Sequence, residues 1–534
     1  MIDNCGSRLE RYERSGAWVI VGLICILYLI RTNSILWYRG GDDMAHYILL
    51  AKAIATGEGY RDNFIPGAPV HTQYPPLFPL LLSIIIAVRG MDLFSMKLTV
   101  SLAAATTLLL TYLLLRRQSL SWPLASVVWL GCSYRFFTHS DLLLTETPYM
   151  AFSIATILCF DKWLKFGKWK DAMLTVISLW ACEMTRTAGI TLAAAIGAAI
   201  FLQKGKSGKR LLKAISVTII SLVPALIWGI RGAMLSAGGM GYLSQLLYMD
   251  PYAPAEGTAG PIQIAGRFLM NARSYFLDIA ELIAGDRNLI SYQLDWVIAA
   301  PLAALVVIGF IRRFRKSAGV MEAYVIFFTA LVFLWPFHGY RYILPVYPFI
   351  IAYTVEGAHT FADWLSGKGP RWRRVSLLSF GILFFMTISF NTWRDAKYWA
   401  DEIQSFKTDK IRISDNIYVL TNRDSYRHML QACVWLAENG QPGAVAMARN
   451  FRIAALASGH PILRFPVFTP QNPKKMLKDF GVRYILVDEA YPNAADFMNY
   501  LTRGGKDIQG LQVVFSEGRT IIVEITPAFF EKKQ

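Results

Sequence analysis

Long apolar blocks recur through this chain, and no other feature restricts its fold as much. The first, AWVIVGLICILYLIRTNSILW (17–37), is long enough to cross a hydrocarbon core of roughly 30 Å at ~1.5 Å per residue. It is too long for a removable signal peptide and lacks a small-residue cleavage site. Of the 534 residues, 54% are hydrophobic and gathered into such blocks, the pattern of an α-helical polytopic membrane protein with a polar appendage.

The formal net charge of +17 does not point to nucleic acid, because the basic residues sit in short loops between apolar blocks. Arg8, Arg11 and Arg14, then Arg116 and Arg117, then the clusters at 162–170, 204–213, 312–316 and 371–374, read as cytoplasmic topology signals. PPLFPLLLSIIIAVRG (75–90) is apolar but short, and counting it as a span would place every later basic cluster outside. It is therefore predicted to lie in the outer interface, with Pro75, Pro76 and Pro79 shaping its start. Spans are predicted near 17–37, 93–115, 120–138, 146–162, 171–185, 188–203, 211–231, 288–311, 321–337, 341–361 and 374–391, about eleven helices. The N-terminus is then cytoplasmic and the C-terminus outside. The six cysteines form neither a disulfide framework nor a zinc spacing, and no internal repeat supports an inverted-repeat transporter.

This topology puts three pieces outside: 38–92, 232–287, and the tail 392–534. The tail alternates strand-like and helix-like runs (AVAMA, FRIAALASG, PILRFPV, NPKKMLKDFG, VRYILVD, NAADFMNYL, QVVF, TIIVEI), so a soluble α/β accessory domain is expected after a membrane domain spanning 1–391. The tail has no phosphate-cradling glycine motif and no nucleophile elbow. The Gly- and Pro-rich 232–287 segment reads as a substrate-covering loop.

Chemistry-bearing residues cluster on the outer side. In GGDDMAHYILLAKAIATGEG, Met44, Tyr47, Ile48, Ala51, Ile54 and Ala55 repeat at helical spacing, which puts Asp42 and Asp43 at the start of an interfacial helix ending at Gly57 or Gly59. Helix capping alone would account for such aspartates. A second acidic pair, Asp141 and Glu146, lies in HSDLLLTETPYMAF, and carboxylates at membrane depth tend to face cavities. Arg186 in EMTRTAG and Arg341 in FHGYRYILPVYP stand at span boundaries on the same side, where each is either a snorkelling charge or a phosphate ligand. His46, His71 and His338 are external as well. Carboxylates for a hydroxyl, arginines for a phosphate and adjacent lipid suit glycosyl transfer from a lipid-phosphate sugar, with inversion at the anomeric carbon.

In GGDDMAHYILLAKAIATGEGY, QYPPLFPLLLS, LLLRRQSL, LLTETPYMAF and GYRYILPVYPF, taken in order, the chain resembles the GT-C superfamily of polytopic glycosyltransferases. In particular it resembles the branch holding dolichyl-phosphate-mannose protein mannosyltransferases, the lipid A aminoarabinose transferase and their uncharacterised bacterial relatives. The resemblance implies that Asp43 is the catalytic first-loop aspartate with Tyr47 as its aromatic neighbour. It places the second acidic position on Glu146, with Asp141 as a rival. Arg341, and less directly Arg186, would bind lipid phosphate. Met44 and His46 stand where relatives often carry Glu and Arg, leaving Asp42 as a substitute neighbour. His46, His71, Tyr74 and His338 complete the substrate-side candidates, and Mg²⁺ or Mn²⁺ shared by Asp43 and Glu146 is an open option.

The expectation is an inverting, polyprenyl-phosphate-sugar-dependent glycosyltransferase of a bacterial plasma membrane, acting on a lipid, glycan or protein acceptor at the outer face. Two other readings stay open: an oligosaccharide polymerase or ligase using lipid-diphosphate-linked glycans, and a flippase of lipid-linked sugars.

Overall fold

The computed structural model describes residues 2–38, 42–202, 207–235, 242–251, 256–280, 292–414, 417–421, 423–466, 472–488, 492–502 and 508–531. The glycines of GGDD, most of GGMGY and the cluster at 204–206 lie outside the described residues. Helix dominates, as long apolar runs without internal turn signals require. Among the described residues, four helices are long and apolar enough to cross a membrane: Leu93–Arg117, Ala214–Leu235, Trp296–Ser317 and Pro370–Lys407. Shorter apolar helices include Ser15–Ile30, Thr187–Phe201 and Val320–Leu334. Glu146–Phe166, Trp169–Thr185 and Tyr347–Ser366 stand on three further sequence-predicted spans.

Leu77–Arg89 is 13 residues long, about 20 Å at ~1.5 Å per residue, which is less than a bilayer core. Pro76 stands at its N-cap and Gly90 ends it in the left-handed region (φ +70°).

Three predicted boundaries are corrected. The first helix stops at Ile30, and Ile35–Trp37 forms a strand, β1. The run 120–138 is not one helix but Pro123–Gly131 followed by Tyr134–His139. At the break the Tyr28 hydroxyl donates to the Gly131 carbonyl (2.9 Å), and a Cβ on Gly131 would meet Ile24 at 2.7 Å. Close approach of the first helix thus fixes the break. The last long helix, Pro370–Thr408, runs well past residue 391, because no glycine or proline interrupts 392–408 and its polar residues find partners on the body of the protein.

All eight predicted tail runs fall on regular elements. β4 (Val445–Ala448), β5 (Ile462–Arg464), β6 (Val482–Val487), β7 (Leu511–Glu517) and β8 (Thr520–Ile525) form a mixed sheet ordered β5-β4-β6-β8-β7. Helices Phe451–Ser458, Pro473–Asp479 and Pro492–Leu501 alternate with them. The sequence reading missed Asp424–Asn439 and a second sheet, in which β3 (Ile417–Leu420) pairs in parallel with β1 and antiparallel with β2 (Ile411–Ser414). The tail therefore takes a strand from the segment that follows the first helix. One buried core also joins Tyr47, Ile48, Tyr74 and Phe78 of the first loop to Tyr426, Leu430, Ile453 and Ile522 of the tail. Burial of each large apolar side chain contributes roughly 1.5–3 kcal/mol, so this junction is a packed interface and not a free hinge.

Candidate active site

Asp43 is the first residue of the Asp43–Ala55 helix, which ends at Thr56 before Gly57 (φ +80°). Its carboxylate accepts from three sides: Arg341 Nη2 at 2.7 Å, the Tyr74 hydroxyl at 2.9 Å and Arg452 Nη1 at 3.3 Å. Beside it, Glu146 Oε1 takes Arg186 Nη1 at 2.6 Å and lies 3.8 Å from Arg341 Nε. Arg341 therefore bridges the two carboxylates. Arg186 also donates to Thr145 (3.3 Å), whose hydroxyl lies 3.5 Å from that of Tyr47. Tyr242, near the start of the 232–287 segment, lies close enough to Tyr47, Arg186, Asp43 and Arg341 to feel their charges.

Local sequence explains these placements. Arg186 terminates the Trp169–Thr185 helix in extended conformation (φ −148°), and the chain turns back so tightly that a Cβ on Gly189 would sit 2.8 Å from the Glu183 backbone. Arg341 rides on a single turn, Tyr340–Ile343.

Burial alone would raise the Asp43 carboxyl, but the Arg341 and Arg452 guanidiniums and the hydrogen bonds from Arg341 and Tyr74 outweigh it and hold it at about 2. Asp42 goes the other way. Its burial, helped by the Asp43 charge and opposed by Arg452, raises it to about 6. Asp42 makes no side-chain cap on its own helix; it faces instead the backbone N–H groups of Arg452 and Ile453, at the start of the tail helix Phe451–Ser458, which pull its carboxyl down against the effect of burial.

His46 and His71 form a layer behind the site. Asp62 accepts from His46 Nε2 (2.8 Å) and His71 Nδ1 (3.0 Å), while His71 Nε2 accepts the Tyr74 N–H (2.7 Å). Burial, with the nearby Arg452 charge, lowers His46 to about 3. Three ligand atoms of this triad lie within 4.8 Å of one another. The Tyr74 N–H nevertheless fixes His71 with its proton on Nδ1, directed at Asp62; a metal on Nδ1 would move that proton to Nε2, against the Tyr74 N–H. The triad fits a hydrogen-bonded support for Tyr74 better than a three-ligand metal site. Asp43 and Glu146 do not fit a shared cation either, because guanidiniums already occupy the space between them.

Two sequence candidates lie elsewhere. Asp141 pairs with Lys97 Nζ at 2.7 Å and Arg31 at 3.9 Å, all three nearly inaccessible. His338 pairs with Asp278 at 3.0 Å beside Tyr275. Sequence reasoning missed Arg452, Asp62, Thr145 and Tyr242. Thr145 adjoins Glu146 and Tyr242 ends GGMGY, so both stood near readable signals; Arg452, in an ordinary amphipathic run, had none.

Residues 73–228, under a third of the chain, match the family of dolichyl-phosphate-mannose-protein mannosyltransferases. No curated protein sequence is significantly similar. Among solved structures, ArnT from Cupriavidus metallidurans bound to undecaprenyl phosphate superposes with a TM-score of 0.59 at 9% identity, covering 97% of this chain and 99% of that one. The archaeal oligosaccharyltransferase AglB from Archaeoglobus fulgidus, with an inhibitory peptide and a dolichol-phosphate, gives 0.56 at 13%, covering 97% and 75%. An oligosaccharyltransferase from the same organism with Zn and sulfate gives 0.54 at 13%, covering 88% and 67%. This chain therefore has the GT-C fold and resembles the dolichyl-phosphate-mannose protein mannosyltransferase and ArnT branch.

Proposed function

We propose that the protein is an integral-membrane, inverting glycosyltransferase that takes a monosaccharide from a polyprenyl-phosphate carrier. The acceptor is a lipid, glycan or protein at the outer face of a bacterial plasma membrane. The observation that carries this reading is the alternation of carboxylates and guanidiniums at one partly open site, with three buried polar atoms there lacking hydrogen-bond partners among the described residues: Asp42 Oδ1, Glu146 Oε2 and Arg452 Nε. Buried polar atoms are rarely left so unless something else meets them.

The acceptor hydroxyl attacks the anomeric carbon from the face opposite the phosphate. The carbon–oxygen bond to phosphate breaks, and the polyprenyl phosphate leaves with the electron pair, neutralised by Arg341 and Arg186. The acceptor proton passes to Asp43. At about 2, Asp43 is a poor base while Arg341 and Arg452 hold it, but an arriving phosphate competes for those guanidiniums. Losing them raises the proton affinity of Asp43 when the donor is in place. Glu146 and Tyr47 position the acceptor, and about eleven spans with an extracytoplasmic tail frame the site.

Sugar transfer from radiolabelled polyprenyl-monophosphate sugars in native membranes tests the reading. Asp43-dependent transfer is expected; full activity of Asp43→Asn overturns it. The convergence of three arginines also favours a second reading, a lipid-diphosphate donor, which the same assay with diphosphate-linked glycans separates.

A further inference from the structure

Arg452 reaches Asp43 from 409 positions away in sequence, on a tail that otherwise carries none of the site's charged groups among the described residues. Its side chain is 20% exposed, and among the described residues one of its five N–H donors is engaged, by Asp43 Oδ1. Nε is buried without a partner among the described residues. A guanidinium held at one corner, with the rest of its fork unspent, is suited to bidentate contact with an oxyanion.

The backbone beside it is held separately. Asp42 faces the N–H groups of Arg452 and Ile453, at an N-terminus whose own cap residue, Asn450, makes no side-chain cap. A carboxylate there complements the helix dipole. Ile453 is buried in the core shared with Tyr47 and Tyr74, and Ile462 N–H donates to the Phe64 carbonyl at 2.7 Å. The two adjacent aspartates thus meet the same tail helix differently, Asp42 through its main chain and Asp43 through the arginine it carries.

We infer that Arg452 is a donor-phosphate ligand delivered to the site by the tail, and that Asp42 docks the helix that carries it. This rests on the lipid-phosphate reading above and extends it: the tail is part of the binding site, not an accessory. Its guanidinium shares Asp43 with Arg341 until a lipid phosphate arrives, then turns to the phosphate oxygens.

The test is binding of undecaprenyl phosphate and undecaprenyl diphosphate to the full-length protein in nanodiscs, with limited trypsin digestion of 409–450 as the measure of tail docking. Arg452→Ala is expected to weaken binding of at least one lipid about 10- to 100-fold, with the tail digested no faster. Arg452→Lys should recover part of the loss, since it keeps charge without the fork. Asp42→Ala is expected to speed digestion and to weaken binding with it. Wild-type affinity in Arg452→Ala overturns the inference, as does weakened binding matched by equally faster digestion, which would make Arg452 structural. A wild-type protein that binds neither lipid overturns the functional reading itself.

Discussion

Two charged clusters in this molecule use the same residue types to opposite ends. Around Asp141, the carboxylate, Lys97 and Arg31 are 4%, 1% and 2% exposed. Lys97 also donates to Asn33 (2.6 Å) and the Ile35 carbonyl (2.8 Å), and Glu402 accepts from Trp37 (2.6 Å) and Asn33 (3.1 Å). That network ties the end of the first helix and strand β1 to the long C-terminal helix. Around Asp43, the carboxylate is 24% exposed and Arg341 34%, and partners are shared between neighbours. The closed cluster is sealed from any ligand and ties elements together; the open one is accessible to a ligand.

The contrast breaks most sharply on paired substitutions. Asp43→Asn is expected to lower transfer about 10²- to 10⁴-fold with little change in melting temperature, read by initial rates and thermal unfolding. Asp141→Asn should do the reverse. Leaving Lys97 uncompensated costs roughly 3–5 kcal/mol of stability, while activity per folded molecule stays near wild type. If Asp141→Asn were stable and inactive, the division between the clusters would fail.

Arg186→Ala is expected to raise the donor KM about tenfold or more, through loss of a charge-assisted contact, with a smaller effect on kcat. A steady-state titration of donor checks this, and an unchanged KM would confine Arg186 to holding Glu146.

Acid titration sharpens the comparison within the open cluster. His46 is held at about 3, below its ordinary 6.5, so the unfolded chain binds the proton first. Its contribution is full above pH 6.5 and is lost as pH falls toward 3. Asp42, raised from 3.8 to about 6, contributes most below pH 4 and loses that contribution as pH rises through 6. Between pH 7 and 4, His46→Asn should therefore flatten the acid loss of stability and Asp42→Asn should steepen it, by denaturant midpoints across pH. The same slope in both variants would contradict the assigned environments. The smallest effect expected is from chelation. EDTA should leave transfer within about twofold of the untreated rate, because guanidiniums already neutralise Asp43 and Glu146.

Much of this architecture is legible in the amino-acid sequence. Apolar blocks, basic loops and turn residues mark most helices, and the apolar run at 75–90 is a helix, Leu77–Arg89, begun by proline and ended by glycine as its sequence suggests. Asp43, Glu146, Arg186, Arg341, Tyr47 and Tyr74 are each visible because they stand at the edges of apolar segments, where a charge or a hydroxyl is costly without a use. Asp141 carries the same signal, since sequence position does not reveal that Lys97, one helix away, meets it. The break at Cys132 is hidden because its cause, the approach of Tyr28 and Ile24, is not local.

The sequence by itself determined what local forces decide: which stretches are helix, which seek lipid, and which charges lie at the boundary. Only the tertiary structure decided which charges meet. It brought Arg452 to Asp43, set Asp42 beside the start of a tail helix instead of capping its own, and drew β1 into a sheet with the tail. Periodicity and hydropathy are properties of neighbours in the chain, whereas ion pairs and strand partners are chosen by packing across hundreds of residues.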